Sequence, residues 1–155
     1  MKKVLLLLIM FTETQEDYIR AIYLFYIRNE SRYPKIIELA DILDKGRSTV
    51  SERLQDLDKK GLVLKEHYGE LKLTERGMEV AEWLTWKHRV IEIFLHDILK
   101  LELDKIHEEA HKLEHAFSDE AIGKLYNFLK FNYNKDLLKD PHGQPLPEIK
   151  QKPFE

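Results

Sequence analysis

Between Ile36 and Leu73 the apolar residues change their rhythm, and that change admits few folds. Ile36, Leu39, Ala40 and Leu43 recur at helical spacing, and Asp44-Lys45-Gly46-Arg47 interrupts them with a glycine where a helix would end. Ser48 can cap a second helix whose apolar positions are Val50, Leu54 and Leu57. After Lys59-Lys60-Gly61, the runs Leu62-Val63-Leu64-Lys65 and Leu71-Lys72-Leu73 flank a turn at Tyr68-Gly69-Glu70, which predicts a β-hairpin. Helix, turn, helix, hairpin is a winged helix-turn-helix.

The flanks are helical. Thr12 and Gln15 have capping-box spacing, and Ile19, Ile22, Tyr23 and Tyr26 come next at helical intervals, so a first helix should end before Asn29. Thr74 should start a long helix to about Leu99, with Val80, Leu84, Ile91, Leu95 and Ile98 on one side and Trp83 and Trp86 nearby. Further helices are expected from about Asp104 to Ala116, and from Ser118 with Ile122, Leu125 and Leu129 inward. Regular structure should stop at Asp140, with Pro141, Gly143, Pro145 and Pro147 close behind it. The chain is therefore expected to be mainly α. Residues 1–11 are an extension with no assigned role, 12–76 a winged helix-turn-helix domain with a small hairpin wing, 77–147 an all-helical domain, and 148–155 a tail.

A net charge of -3 and a pI near 6.2 exclude a nucleic-acid coat or a polybasic membrane binder, so DNA contact would need a local basic face. Without cysteine there are no disulfides, thiolate zinc fingers or cysteine nucleophiles, and a metal site must use nitrogen and oxygen. Val4 to Phe11 is apolar but far shorter than the roughly 20 residues of a spanning helix, so a cytoplasmic protein is expected.

A recognition helix sets its first turns against base edges while basic side chains hold phosphates. Arg47, Ser48, Thr49, Ser51 and Glu52 occupy those turns, and Lys65 and Lys72 lie on the wing. From Lys45 to Arg76 eight basic residues face six acidic ones, a margin that suits a dimer summing two half-sites on double-stranded operator DNA. The competing use of such a fold is a protein-interaction module.

His107, His111, Glu114 and His115 are spaced by four, three and one, so three imidazoles and a carboxylate share one helical face. Such a face is costly to bury without a cation, and its donors suit manganese, iron, cobalt, nickel or zinc rather than an all-oxygen calcium or magnesium site. His88 and Glu92 form a second pair on the preceding helix, able to join His107 if the two helices pack antiparallel. Singly, His88 reads as a hydrogen-bonded side chain; gathered in two adjoining segments, the histidines point to a site. His111-Lys112-Leu113-Glu114-His115 also fits the H-x-x-E-H pattern of inverted zinc metallopeptidases, which makes a peptidase the rival reading. A third is a winged-helix regulator that ignores metal.

With both halves in view, the sequence resembles the diphtheria-toxin-repressor and manganese-transport-regulator family of metal-dependent transcriptional repressors. The marks run from Glu16-Asp17-Tyr18-Ile19-Arg20 through Leu57-Asp58-Lys59-Lys60-Gly61, Leu73-Thr74-Glu75-Arg76-Gly77 and Lys87-His88-Arg89. The histidine-rich segment comes next, then Asp140-Pro141-His142-Gly143-Gln144-Pro145-Leu146-Pro147. The resemblance implies a non-enzymatic homodimer with no small organic substrate, repressing metal-homeostasis genes, its second domain carrying both dimer interface and metal. It implies one ligand set of Asp17, His111, Glu114 and His115 and an ancillary set of His88, Glu92 and His107.

Two positions depart from the family pattern. Iron-responsive members carry methionine at the position of Asp17 and usually cysteine at that of His111, so this site is harder and lacks sulfur. Manganese-responsive members share the aspartate but place acids at the positions of Arg20 and His111. Manganese is the first choice of cofactor and iron the second, with cobalt, nickel or zinc as substitutes in vitro.

Overall fold

The computed structural model describes residues 11–66, 69–132 and 139–147. Most of the extension, part of the hairpin turn including Tyr68, and the tail from 148 lie outside the described residues. The chain forms two compact units, one ending at Glu82 and the other beginning at Trp83.

Helix α1 (Glu13–Arg28) opens with the expected capping box: the Gln15 N–H donates to Thr12 Oγ1 and the Thr12 N–H to Gln15 Oε1, both at 3.3 Å. It buries Tyr18, Ile19, Ile22 and Tyr23. Helix α2 (Ile36–Leu43) does not end on Gly46. Asp44 takes a left-handed conformation (φ 50°), and the Lys45 N–H reaches back to the Ala40 carbonyl at 3.0 Å. That frees Gly46 to be the N-cap of α3 (Arg47–Lys59), which begins before the expected cap Ser48 and has no side-chain cap.

Helix α3 buries Val50, Leu54 and Leu57 and closes as a Schellman motif. Gly61 has φ +68°, its N–H meets the Asp58 carbonyl at 2.8 Å, and the Leu62 N–H meets the Leu57 carbonyl at 3.0 Å, with both leucines fully buried. Strands β1 (Val63–Lys65) and β2 (Leu71–Leu73) pair antiparallel with Val63 opposite Leu73 and Lys65 opposite Leu71. Val63, Leu71 and Leu73 face the core, and the Leu71 N–H donates to the Pro34 carbonyl at 2.9 Å, tying the wing to the start of α2.

Helix α4 (Glu75–Ile93) starts against the α3–β1 corner, where Thr74 Oγ1 donates to the Gly61 carbonyl and accepts from the Gly77 N–H. A Cβ on Gly77 would lie 2.0 Å from the Leu62 carbonyl oxygen, so only glycine fits this approach. The α-helix does not reach Leu99. It gives way to a π-helical turn over Phe94–Ile98, in which the Leu99 N–H bonds the Phe94 carbonyl. The added residue rotates the end of the helix, so Leu95 is buried as expected but Ile98 is only half-buried.

Helices α5 (Leu103–Ala116) and α6 (Asp119–Asn132) complete the second unit, α6 opening where Ser118 Oγ accepts the Ala121 N–H. Its inner face is Ile122, Gly123, Tyr126 and Leu129, whereas Leu125 is half-buried. Tyr126 replaces Leu125 because its ring meets Trp86 edge-on, with centroids 4.9 Å apart. The segment from Lys139 is not plain coil: Lys139 bridges Pro145, and Asp140 Oδ1 accepts the N–H groups of His142 and Gln144. This turn docks on α4 through Arg89, whose guanidinium lies 3.5 Å from Asp140 Oδ2 and donates to the Pro145 carbonyl.

Candidate metal centre and nucleic-acid interface

Helix α4 carries His88 and Glu92 one turn apart, and α5 presents His107, His111, Glu114 and His115 on one face. Two groups of donors form in this helical unit. The ligand atoms of His88, Glu92 and His107 lie within 4.8 Å of one another, as do those of His111, Glu114 and His115. Both carboxylates are nearly sealed from solvent, at 3% exposure for Glu92 and 6% for Glu114, while the His107 and His111 rings reach the surface. Asp17 is half-buried on α1 of the other unit.

His88 connects the groups. Its Nδ1 lies 2.5 Å from Glu114 Oε2 and its Nε2 lies 3.1 Å from Glu92 Oε1. Glu114 Oε1 in turn stands 2.9 Å from His111 Nδ1 and 3.6 Å from His115 Nε2, and His107 Nδ1 stands 3.6 Å from Glu92 Oε1. Burial by itself would raise the Glu92 carboxyl, but hydrogen bonds from His107 and His88 together with their charges hold it down at about 2. Burying an ion costs several kcal/mol even after relaxation, so two such carboxylates ringed by nitrogen donors fit a divalent transition cation by donor chemistry as well as by spacing.

Arg47, Ser48, Thr49 and Glu52 are exposed on the first turns of α3, and Ser51 is half-buried. With Gly46 as N-cap and no acid in the first turn, the leading N–H groups of α3 have no side-chain cap, the arrangement that receives a phosphate oxygen. Lys65 and Lys72 are exposed on the paired strands of the wing. The Arg89–Asp140 pair was not legible as a partnership, since the residues are far apart in sequence; Asp140 ahead of a Pro-His-Gly turn was its one local sign. Nor does spacing along single helices show that His88 touches Glu114 across helices.

Residues 10–71 match the model of the iron-dependent repressor N-terminal DNA-binding domain, and residues 74–148 that of the iron-dependent repressor metal-binding and dimerisation domain. The chain is 40% identical over 119 residues to an uncharacterized HTH-type transcriptional regulator of Methanocaldococcus jannaschii, covering 77% of this chain and 94% of that one. It is 33% identical to the diphtheria toxin repressor of Corynebacterium diphtheriae over 88% of this chain and 58% of the repressor. The solved structure of the manganese regulator SloR superposes with a TM-score of 0.73 at 36% identity, covering 89% of this chain and 61% of SloR. This chain thus spans less than two thirds of the length of those last two proteins. The matches are to transcriptional regulators, so the H-x-x-E-H segment is not peptidase machinery. Among the described residues no helix is long and apolar enough to cross a membrane.

Proposed function

The chain belongs to the iron-dependent repressor family of transcriptional regulators, and from that premise we propose that it binds operator DNA as a homodimer when its helical unit holds manganese or iron. The observation that carries the reading is the pair of buried carboxylates, Glu92 and Glu114, each converged upon by imidazoles. When bound, a divalent cation supplies the positive charge that these acids need in a low-dielectric site. His111, Glu114 and His115 hold one cation, and His88, Glu92 and His107 hold a second.

The family resemblance adds Asp17 to the first set. Because Asp17 belongs to the winged-helix unit, its engagement with ligands of the helical unit would restrict inter-unit motion and favour one spacing of the two recognition helices in a dimer. A coupling of about 1 to 3 kcal/mol is usual for such linkage, and operator DNA must tighten metal binding by the same factor. Arg47, Ser48, Thr49, Ser51 and Glu52 face the major groove, while Lys65 and Lys72 meet phosphates. Oxygen and nitrogen donors without sulfur favour manganese over iron; cobalt, nickel and zinc fill the sites in vitro.

Fluorescence anisotropy of DNA from upstream of the protein's own gene and of adjacent metal-transporter genes tests this with manganese, iron or chelator present. Binding that appears with metal and disappears with chelator is expected. Equal binding in all three conditions would make this a metal-independent regulator, and an Asp17→Ala variant with intact metal stimulation would remove Asp17 from the mechanism.

A further inference from the structure

We infer that His88 is the positioning residue for Glu114, so that the two donor groups are one hydrogen-bonded assembly rather than two independent sites; this rests on the metal-binding reading of the helical unit. His88 is 5% exposed and stands between two carboxylates that belong to different groups, Glu92 on its own helix and Glu114 on α5. Its two ring nitrogens face opposite ways and have different work. Nε2 faces Glu92 Oε1, the same oxygen that His107 Nδ1 approaches. Nδ1 instead points at Glu114 Oε2, whereas His111 and His115 stand at Glu114 Oε1.

An N–H at Nδ1 donating to Glu114 Oε2 therefore fixes the carboxylate plane and leaves Oε1 aimed between His111 and His115. The same tautomer leaves the Nε2 lone pair for a cation beside Glu92. Outer contacts that fix a ligand's orientation are typically worth 10- to 100-fold in metal affinity. The consequence runs in one direction that geometry alone would not suggest: removing His88 should weaken binding at Glu114, although no atom of His88 is among the donors gathered there.

The test is manganese titration monitored by loss of the free-ion electron paramagnetic resonance signal, in a His107→Ala background that disables the His88/Glu92 group at its exposed member. One manganese per chain should remain. Adding His88→Ala should weaken that remaining affinity by about tenfold or more. His88→Asn, whose amide N–H can take the place of Nδ1 while offering nothing at the Nε2 position, should restore it to within about threefold of the background. Melting curves of the metal-free variants identify any that fail to fold. Unchanged affinity in His88→Ala, or an asparagine variant as weak as the alanine one, overturns the inference while leaving the metal-dependent reading standing. Absence of manganese binding in the unsubstituted protein overturns both.

Discussion

The two units bury different kinds of residue. In the winged unit the buried side chains are apolar or tyrosine, and Gln15, a helix-capping residue, is the one buried polar exception among the described residues. The helical unit buries His88, Arg89, Glu92, Glu114 and Asp140, all ionisable. Apolar burial needs no partner, at about 25 cal/mol for each Å² removed from water, whereas each buried ion must be matched or it destabilises the fold. The core of the winged unit is thus held by apolar burial, whereas the helical unit also holds buried ions that need partners.

Glu114→Gln gives the sharpest break in that comparison. It removes the charge that His88, His111 and His115 share while keeping the shape, and should weaken manganese binding by about 1,000-fold, near 4 kcal/mol, with helical circular dichroism unchanged. Isothermal titration calorimetry measures it. A variant that still binds manganese as tightly would show that buried charge in the helical unit is structural only.

Asp140→Ala should cost about 3 kcal/mol in urea unfolding, because it strands Arg89 in a nearly closed site. Arg89→Met with Asp140→Leu should recover much of the loss, since matched apolar groups replace the pair. Failure of the double variant to recover would mean that the turn is held by the hydrogen bonds that the Asp140 carboxylate accepts from the Gln144 N–H and that Arg89 donates to the Pro145 carbonyl, rather than by the charge pair itself.

The winged unit was readable from sequence because its signals are local. The Thr12/Gln15 box, the glycine of Lys59-Lys60-Gly61 and the short runs Leu62–Lys65 and Leu71–Leu73 either side of a turn each act within a few residues. The errors there are local as well: Asp44 took the left-handed position assigned to Gly46, because a short acidic side chain tolerates that conformation. In the helical unit, spacing along α5 placed the four donors of its face on one side. The π-turn, the His88–Glu114 contact and the Arg89 latch depend on how helices meet, which periodicity along one helix does not contain.

Gly77→Ala probes the winged unit's own weak point. The methyl group meets the Leu62 backbone, which cannot move without disturbing both the Schellman closure and β1, so about 2 kcal/mol of stability should be lost. Manganese affinity, measured on the folded variant, should be unaltered. A matching loss of affinity would show that the stability of one unit cannot be separated from metal binding in the other.

The smallest expected effect concerns pH. Glu38 lies within the first turn of α2, where the Arg32 guanidinium donates to it from both nitrogens and the Lys35 backbone N–H donates at 2.9 Å. The side-chain bond from Arg32, then that backbone bond, hold its carboxyl below the ordinary range despite a small opposing effect of burial. A carboxyl lowered on folding stabilises above its unfolded value and loses that contribution as pH falls through its folded one. Glu38→Gln keeps an acceptor for the Lys35 N–H and loses only the charge paired with Arg32, so it should cost about 0.5 kcal/mol at pH 7, and the gap should close as acid protonates Glu38 in the parent. Urea midpoints of parent and variant across pH 7 to 3 decide it. A gap constant over that range would assign the effect to shape and hydrogen bonding rather than charge, and would leave the winged unit with no ionisable contribution at this cap.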